Sequence, residues 1–503
     1  MKKHTIFLAL FICLGTGLRI YDLGSKSLWL DEAASVYYAD VLIPSMVERL
    51  ANHQYENGQQ IMQEWRKSDP SQPPLYYVLL HFGTMMGKGE VAARLLSVLA
   101  GVVSIPALYQ LTKTLFNERI GLLSALLLAV SPLHVAHSQN ARMYTLVTLF
   151  VLVSVYCTIR FLKTDGWAWR IGYVLCMVLG LYTHYITVFA LILQNVIALI
   201  FVWMQRDVRR LPTWLAMQMC VLLLFAPWVP FLLYQMGGVS TGNLGAGQYI
   251  TLPFRLAVQL FRAFSLAEYR GLPLWITVIG LLGFLIFVIY GVCAPEPGDV
   301  DEGKSRKWAI EEVAFCLIYL FFAALGAVLL YGGRPYPVRL ALFGLPAYYM
   351  LVARGIERIR IDGKAKLAVV VALVALLLFV TVTSVYQRGA QEDWRGVVDY
   401  VLGRSQPEDV VVLHAVFVRM PFDYYAGGRI STYVVDPTVF DDPSQAIPAM
   451  AQEAMQGHER LWLVLSHTDY LDPDQAVKRH FDEHYSMLEE RHFAGVDVFL
   501  YEQ

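Results

Sequence analysis

Two adjacent carboxylates, Asp31 and Glu32, stand in the stretch KSLWLDEAAS, directly after the first apolar segment of the chain. Trp29 and Leu30 flank them, so the pair sits in an apolar, aromatic setting. A partly desolvated carboxylate is a better proton acceptor than a free surface acid. Acids also favour the first turn of a helix, and a helix is expected from about Ala33, so capping is the competing role. The two roles are compatible, with Glu32 capping and Asp31 working.

Arginines form the second group: Arg142 in HSQNARMYT, Arg262 in QLFRAFS, and Arg334 and Arg339 in GGRPYPVRLALF. Each is expected at the end of an apolar span, on the face that the positive-inside bias leaves poor in cations. Snorkelling or pairing with a carboxylate explains any one of them. Several together, with one acidic loop on the same face, point instead to an anionic lipid head group, since a guanidinium fork suits phosphate. His134 and His137 in SPLHVAHSQ and His184 in LYTHY are polar groups at span ends. An HxxH pair alone does not fix a metal site, so no cofactor is required, although a divalent ion could be drawn from these residues. Hydrogen bonding to a sugar or phosphate, or plain interfacial placement, suits them better. Gln139 belongs with His137 as a sugar or acceptor contact. Tyr37, Tyr144 and Tyr336 belong to a wider aromatic set, with Tyr38, Tyr76, Tyr77, Tyr182 and Tyr185, most of which reads as an interfacial belt; of the members that line a substrate groove, Tyr144 and Tyr336, with His184, are expected at the donor phosphate and Tyr37 at the acceptor or sugar.

The elements that must hold these residues are membrane spans. Of 503 residues, 56% are hydrophobic and 16% charged, and mean hydropathy is +0.47. The apolar residues come in runs such as VVVALVALLLFVTVTSV, long enough to cross a bilayer. A net charge of −1 argues against nucleic-acid binding. Eleven spans are expected, at about 5–22, 90–111, 119–137, 143–162, 168–183, 185–204, 212–236, 271–292, 308–331, 338–356 and 366–386. The first resembles a signal peptide, but no small-residue cleavage site follows, so it reads as a retained anchor. The apolar stretch 73–87 is too short to cross. With it interfacial or re-entrant, every basic cluster falls on one side, which places the N-terminus in the cytoplasm and the C-terminus outside.

The expected domains are then a transmembrane domain over 1–386, with outer loops at 23–89 and 237–270, and an extracytoplasmic domain over 387–503. In the latter, DVVVLHA, RISTYVVD, RLWLVLS and VDVFLYEQ read as strands, and DWRGVVDYVLGR, SQAIPAMAQEAM and PDQAVKRHF as helices. Their alternation implies a small α/β domain. It has no GxGxxG, no P-loop and no metal cluster, and no chemistry is read in it. All six cysteines lie in or beside apolar segments and are expected to be small buried hydrophobes rather than disulfide partners.

Taken in order, LWLDEAAS, PPLYYVLLHFG, ARLLSVLAG, SPLHVAHSQNARMYTL, LYTHYITVFAL, YPVRLALFGLPAYYMLVARG and QEDWRGVVDYV resemble the membrane glycosyltransferases of the GT-C fold class. The resemblance is to bacterial relatives of protein O-mannosyltransferases and lipid A aminoarabinose transferases, and it covers roughly residues 5–400. It implies an inverting transferase with a polyprenyl-phosphate sugar donor, a lipid, glycan or protein acceptor, and a site facing away from the cytoplasm of a bacterial inner membrane. It maps the base onto Asp31, the neighbouring acid onto Glu32, and donor-phosphate contacts onto Arg142 and Arg339. Ser71-Gln72 and Tyr144 depart from the aminoarabinose-transferase pattern, which favours the mannosyltransferase-like branch. A lipid or sugar transporter, or a scaffold with a decayed site, are the other readings. The first needs a continuous polar path that these spans do not supply.

Overall fold

The computed structural model describes residues 3–52, 72–87, 89–205, 208–238, 246–267, 271–294, 305–331, 337–387, 391–436 and 443–503. The chain packs as two units. One comprises Met1–Tyr21, Arg49–Leu79 and Arg94–Arg388; the other comprises Asp22–Glu48, Leu80–Ala93 and Gly389–Gln503. The second unit therefore takes in two stretches of the first loop as well as the tail.

The first unit is helical. Among the described residues eight helices are long and apolar enough to cross a membrane, and a ninth if the bent pair Glu118–Ala129 and Pro132–Ser138 forms one span. The remaining two expected spans contain the shorter helices Trp167–Thr183 and Leu345–Arg358, of 17 and 14 residues. The helix Leu75–Met85 has 11 residues. At about 16 Å it is half as long as a hydrocarbon core of about 30 Å is thick. The stretch read as a second outer loop carries the helix Ala246–Leu266.

The bent pair turns by 57°. Ser131 caps the second piece, accepting from the His134 N–H, and Pro132 occupies its first turn, where no donor is needed. The carbonyls freed at the end of the first piece are taken by Arg19, which is fully buried. Its guanidinium donates to the carbonyls of Leu128 and Ala129 at 3.1 and 3.0 Å, to Gly15 at 2.8 Å, and to Ser138 Oγ at 3.1 Å. It also meets His134 Nδ1 at 2.8 Å. Gly101 makes the room, since a Cβ there would lie 2.2 Å from Ser138 Oγ.

The second unit is built on a five-stranded sheet of order β2-β1-β3-β5-β4. The strands are β1 (Val410–Leu413), β2 (Ser431–Val434), β3 (Arg460–Ser466), β4 (Ser486–Phe493) and β5 (Val496–Glu502). β1 pairs in parallel with β2 and β3, and β5 pairs antiparallel with β3 and β4. Alternation along the strands splits the core between two faces. Val411, Leu413, Trp462 and Val464 pack on one side with Trp394, Val398 and Val401 of the helix Trp394–Arg404. Val410, Val412, Leu461 and Leu463 pack on the other with Ile447, Ala451 and Phe481. The expected α/β domain is therefore present. The helix Arg419–Ala426 and strand β4 are additions that the sequence pattern did not signal. β4 is an edge strand exposed along most of its length, and charged residues take the place of the alternation a half-buried strand shows.

Two expectations on burial are corrected. Cys157 and Cys316 are buried, but Cys13, Cys220 and Cys293 are exposed on their helices. In a span an apolar side chain has no need of the protein interior, because hydrocarbon can surround it. Tyr76 and Tyr77, members of the aromatic set read mostly as a belt, are instead buried, and so is Tyr144, read as a donor contact.

Candidate functional site

In the first unit four polar side chains converge on one ring. Tyr144 opens the helix Tyr144–Thr164. The guanidinium carbons of Arg142 and Arg339 lie 5.9 and 5.8 Å from its ring centroid, within cation–π range. The imidazoles of His137 and His184 lie 5.7 and 5.9 Å from the same centroid. Arg339 acts electrostatically on both histidines, and Arg142 on His184. Residues from four separate segments thus share one polar centre.

Local structure explains each placement. The helix Glu90–Leu115 pins the Arg142 segment through Ser97, whose Oγ donates to the Arg142 carbonyl at 2.9 Å and whose carbonyl accepts from Thr145 Oγ1 at 3.1 Å. The short helix held by Arg19 carries His137. His184 is the extended residue that ends the helix Trp167–Thr183. Its Nδ1 accepts the Ile186 N–H at 3.0 Å, which leaves Nε2 as the protonated nitrogen and a donor. Arg339 ends a short 3-10 turn, Pro337–Arg339. Two guanidinium groups, a neutral imidazole donor and a buried aromatic face can hold a phosphate and an adjoining sugar.

Asp31 and Glu32 lie in the second unit, in the helix Leu30–Tyr37. Glu32 is fully buried, and its Oε2 accepts the Trp29 N–H at 3.4 Å, the backward reach of a helix-capping acid. Asp31 is half-buried. The segment before the helix is fastened by the tail. The Leu28 N–H donates to Tyr425 Oη at 2.7 Å, and Ser27 Oγ to the Glu392 carbonyl at 2.6 Å. Tyr425 in turn donates to Glu90 at 2.7 Å, and Arg395 pairs with the same carboxylate.

The other expected site residues fall elsewhere. The Gln139 amide donates to the carbonyls of Arg19 and Tyr21 at 3.2 and 2.8 Å, closing the end of the first helix. Arg262 is half-buried on the helix Ala246–Leu266. Tyr37 is exposed and stacks edge-on with Tyr38. Arg334 and Tyr336 lie outside the described residues. Sequence reasoning missed Glu392, Tyr425 and His467. The motif QEDWRG was the available signal for Glu392, as an acid just ahead of a helix-start aspartate and a tryptophan. Among the described residues no group of three His, Cys, Asp or Glu side chains is placed to hold a metal ion.

Comparisons with known proteins follow the same lines. Residues 71–231 match the family described as dolichyl-phosphate-mannose-protein mannosyltransferase. No curated protein matches the sequence. Among solved structures, ArnT from Cupriavidus metallidurans in the apo state aligns with 12% identity over 99% of this chain and 98% of its own, at a TM-score of 0.59. The same protein bound to undecaprenyl phosphate aligns over the same shares with 12% identity and a TM-score of 0.56. The archaeal oligosaccharyltransferase AglB from Archaeoglobus fulgidus, in complex with an inhibitory peptide and a dolichol-phosphate, aligns with 10% identity over 99% of this chain and 74% of its own, at a TM-score of 0.53. Identities this low speak for the fold alone.

Proposed function

We propose that this chain, a multi-pass membrane protein with the GT-C glycosyltransferase fold, is an inverting glycosyltransferase that moves a sugar from a polyprenyl phosphate to an acceptor hydroxyl. The observation that carries the reading is the convergence of Arg142, Arg339, His137 and His184 on Tyr144. Three of its features support a lipid-phosphate donor. Two forked cations suit a phosphate, the segment 71–231 that matches the mannosyltransferase family contains four of the five residues, and two proteins of the same fold bind polyprenyl phosphates. Mannose is the first sugar to test, and the reaction is assigned to the extracytoplasmic face by the distribution of basic residues.

The donor phosphate is already a good leaving group and needs no acid. Arg142 and Arg339 stabilise the charge that grows on it as the glycosidic bond breaks. Asp31 accepts the proton of the acceptor hydroxyl as that oxygen attacks the anomeric carbon from the opposite face, and one displacement inverts the configuration. Glu32 holds the first turn of the helix that carries Asp31. The displacement as drawn requires no cofactor.

The test is purified enzyme with undecaprenyl-phosphate mannose and envelope extract as acceptor, the product read by mass spectrometry. Wild type forms a new glycosidic bond. Asp31→Asn loses about 100- to 10,000-fold in kcat, the range of a positioned general base. Turnover within a few-fold of wild type would remove Asp31 from the role. Movement of intact donor across a vesicle without a new bond would favour the transporter reading.

A further inference from the structure

Glu392 is an acid buried in the tail, with 4% of its surface exposed, and every polar atom of its carboxylate is occupied. Oε2 accepts the Leu30 N–H at 2.9 Å and the Trp394 Nε1–H at 2.6 Å. Oε1 meets His467 Nε2 at 2.9 Å. Leu30 is the first residue of the acid-bearing helix, so one carboxylate of the tail grips that helix through a backbone donor that no residue within the helix can satisfy. A second carboxylate, Glu32, takes the donor one residue earlier.

The imidazole on this carboxylate is placed at a cost. His467 follows the last residue of β3 with φ at +58°, a left-handed conformation that a non-glycine residue rarely adopts. β3 is held at that point by Ser466, whose Oγ donates to the Gly495 carbonyl at 2.8 Å. A carboxylate needed only to fasten Trp394 and Leu30 would have no use for a strained histidine on its other oxygen.

We propose that Glu392 and His467 are positioning residues for the acid pair: Glu392 fixes the first turn of the helix bearing Asp31 and Glu32, and an imidazolium at His467, seated on Glu392, balances the negative charge gathered there. The proposal rests on Asp31 acting as the base. The titratable and charged groups around His467 are Glu392 from the segment before the helix Trp394–Arg404, Asp31 from the acid helix, and His414 from the end of β1. The hydrogen bond to Glu392, with Asp31 adding to it, raises the His467 pKa above its usual 6.5. The charged form is therefore fully present below that value and is lost as pH rises through the raised one. Loss of the imidazolium removes one positive charge from beside Glu392 and Asp31, and the acid helix loosens.

The experiment uses the full chain in nanodiscs with 13C-labelled histidine, its His467 signal assigned by His467→Gln. The expected titration midpoint lies above 6.5; it falls in Glu392→Gln and, by less, in Asp31→Asn. In transfer assays with undecaprenyl-phosphate mannose and envelope extract, His467→Gln lowers kcat about 10-fold with donor KM within 2-fold, and it erases the alkaline limb of the pH profile. His467→Lys, which keeps a cation, recovers part of the rate at pH 8. A midpoint that moves in neither acid variant overturns the proposal. So does a His467→Gln enzyme with wild-type kcat and pH profile while Asp31→Asn is inactive. If Asp31→Asn itself turns over normally, the base assignment falls instead, and the titration still decides the charge linkage.

Discussion

Arg142 and Arg339 address one ring: their guanidinium carbons stand 5.9 and 5.8 Å from the centroid of Tyr144. Both guanidinium groups address one polar centre, and forked cations there suit a phosphate. Each guanidinium is expected to give the phosphate a charge-assisted, forked hydrogen bond. Replacing either by lysine keeps the charge and removes the fork. Arg339→Lys and Arg142→Lys are each expected to lower kcat/KM for the polyprenyl-phosphate donor about 10- to 100-fold, the equivalent of about 1.5–3 kcal/mol. Because both are assigned to one phosphate, the double variant should lose less than the product of the two single losses. Strict multiplicativity would place the two arginines on different groups.

Tyr144 is expected to matter as a ring more than as a phenol. Tyr144→Phe keeps the face against which both guanidinium groups and both imidazoles rest, and donor KM should stay within about 3-fold of wild type. Tyr144→Ala removes four aromatic or cation–π contacts, each worth roughly 0.5–1.5 kcal/mol, and should raise donor KM at least 10-fold. Steady-state kinetics of the two variants checks this. A phenylalanine variant as impaired as the alanine one would move the role to the hydroxyl.

Much of this was legible in the sequence, for physical reasons that differ by residue. Runs of apolar residues mark spans because the bilayer demands length and composition together, so the helices carrying Tyr144 and His184 could be drawn without a structure. The strands Val410–Leu413 and Arg460–Ser466 are visible as β-branched and apolar runs because both their faces are buried. Tertiary partners are a different matter. Gln139 reads as a sugar contact from its place beside His137, yet its amide is spent on the carbonyls of the first helix. Glu392 sits in a polar segment whose partners, Leu30 and His467, are remote in sequence, and no local pattern encodes a bond to a backbone N–H so far along the chain. The break at Pro132 lies inside the single span expected over 119–137, and the arginine that stabilises it is not legible either, because Arg19 looks like an ordinary basic residue at a span end.

Arg19 gives a stability prediction. It is buried, and its acceptors are backbone carbonyls, a serine and a histidine. Arg19→Met fills much of the same volume but takes the guanidinium donors away from the carbonyls of Leu128 and Ala129 at the break. The expected loss is about 3–5 kcal/mol, the range for breaking a buried charged network. Thermal unfolding in detergent should show a lower midpoint, and the short helix carrying His137 should gain hydrogen exchange first. An unchanged midpoint would mean that water or lipid takes over the capping.

The tail gives a pH prediction of opposite sign to that of His467. His414 is fully buried at the end of β1, and its Nδ1 accepts the Ser466 N–H at 3.4 Å. Burial lowers its pKa to about 4, against the pull of Asp472 and Asp436. The unfolded chain takes up this proton near 6.5, while the folded chain resists until about 4. Between those values the unfolded state binds more protons, so stability falls as pH falls, by at most about 3 kcal/mol across the window. Hydrogen exchange of the peptides covering Val410–Leu413 and Arg460–Ser466 in the intact protein should therefore quicken from pH 6.5 towards 4, after correction for the intrinsic rate. His414→Gln should flatten that dependence while leaving exchange at pH 7.5 within about 10-fold of wild type. A slope that persists in the variant would assign the acid sensitivity to another group.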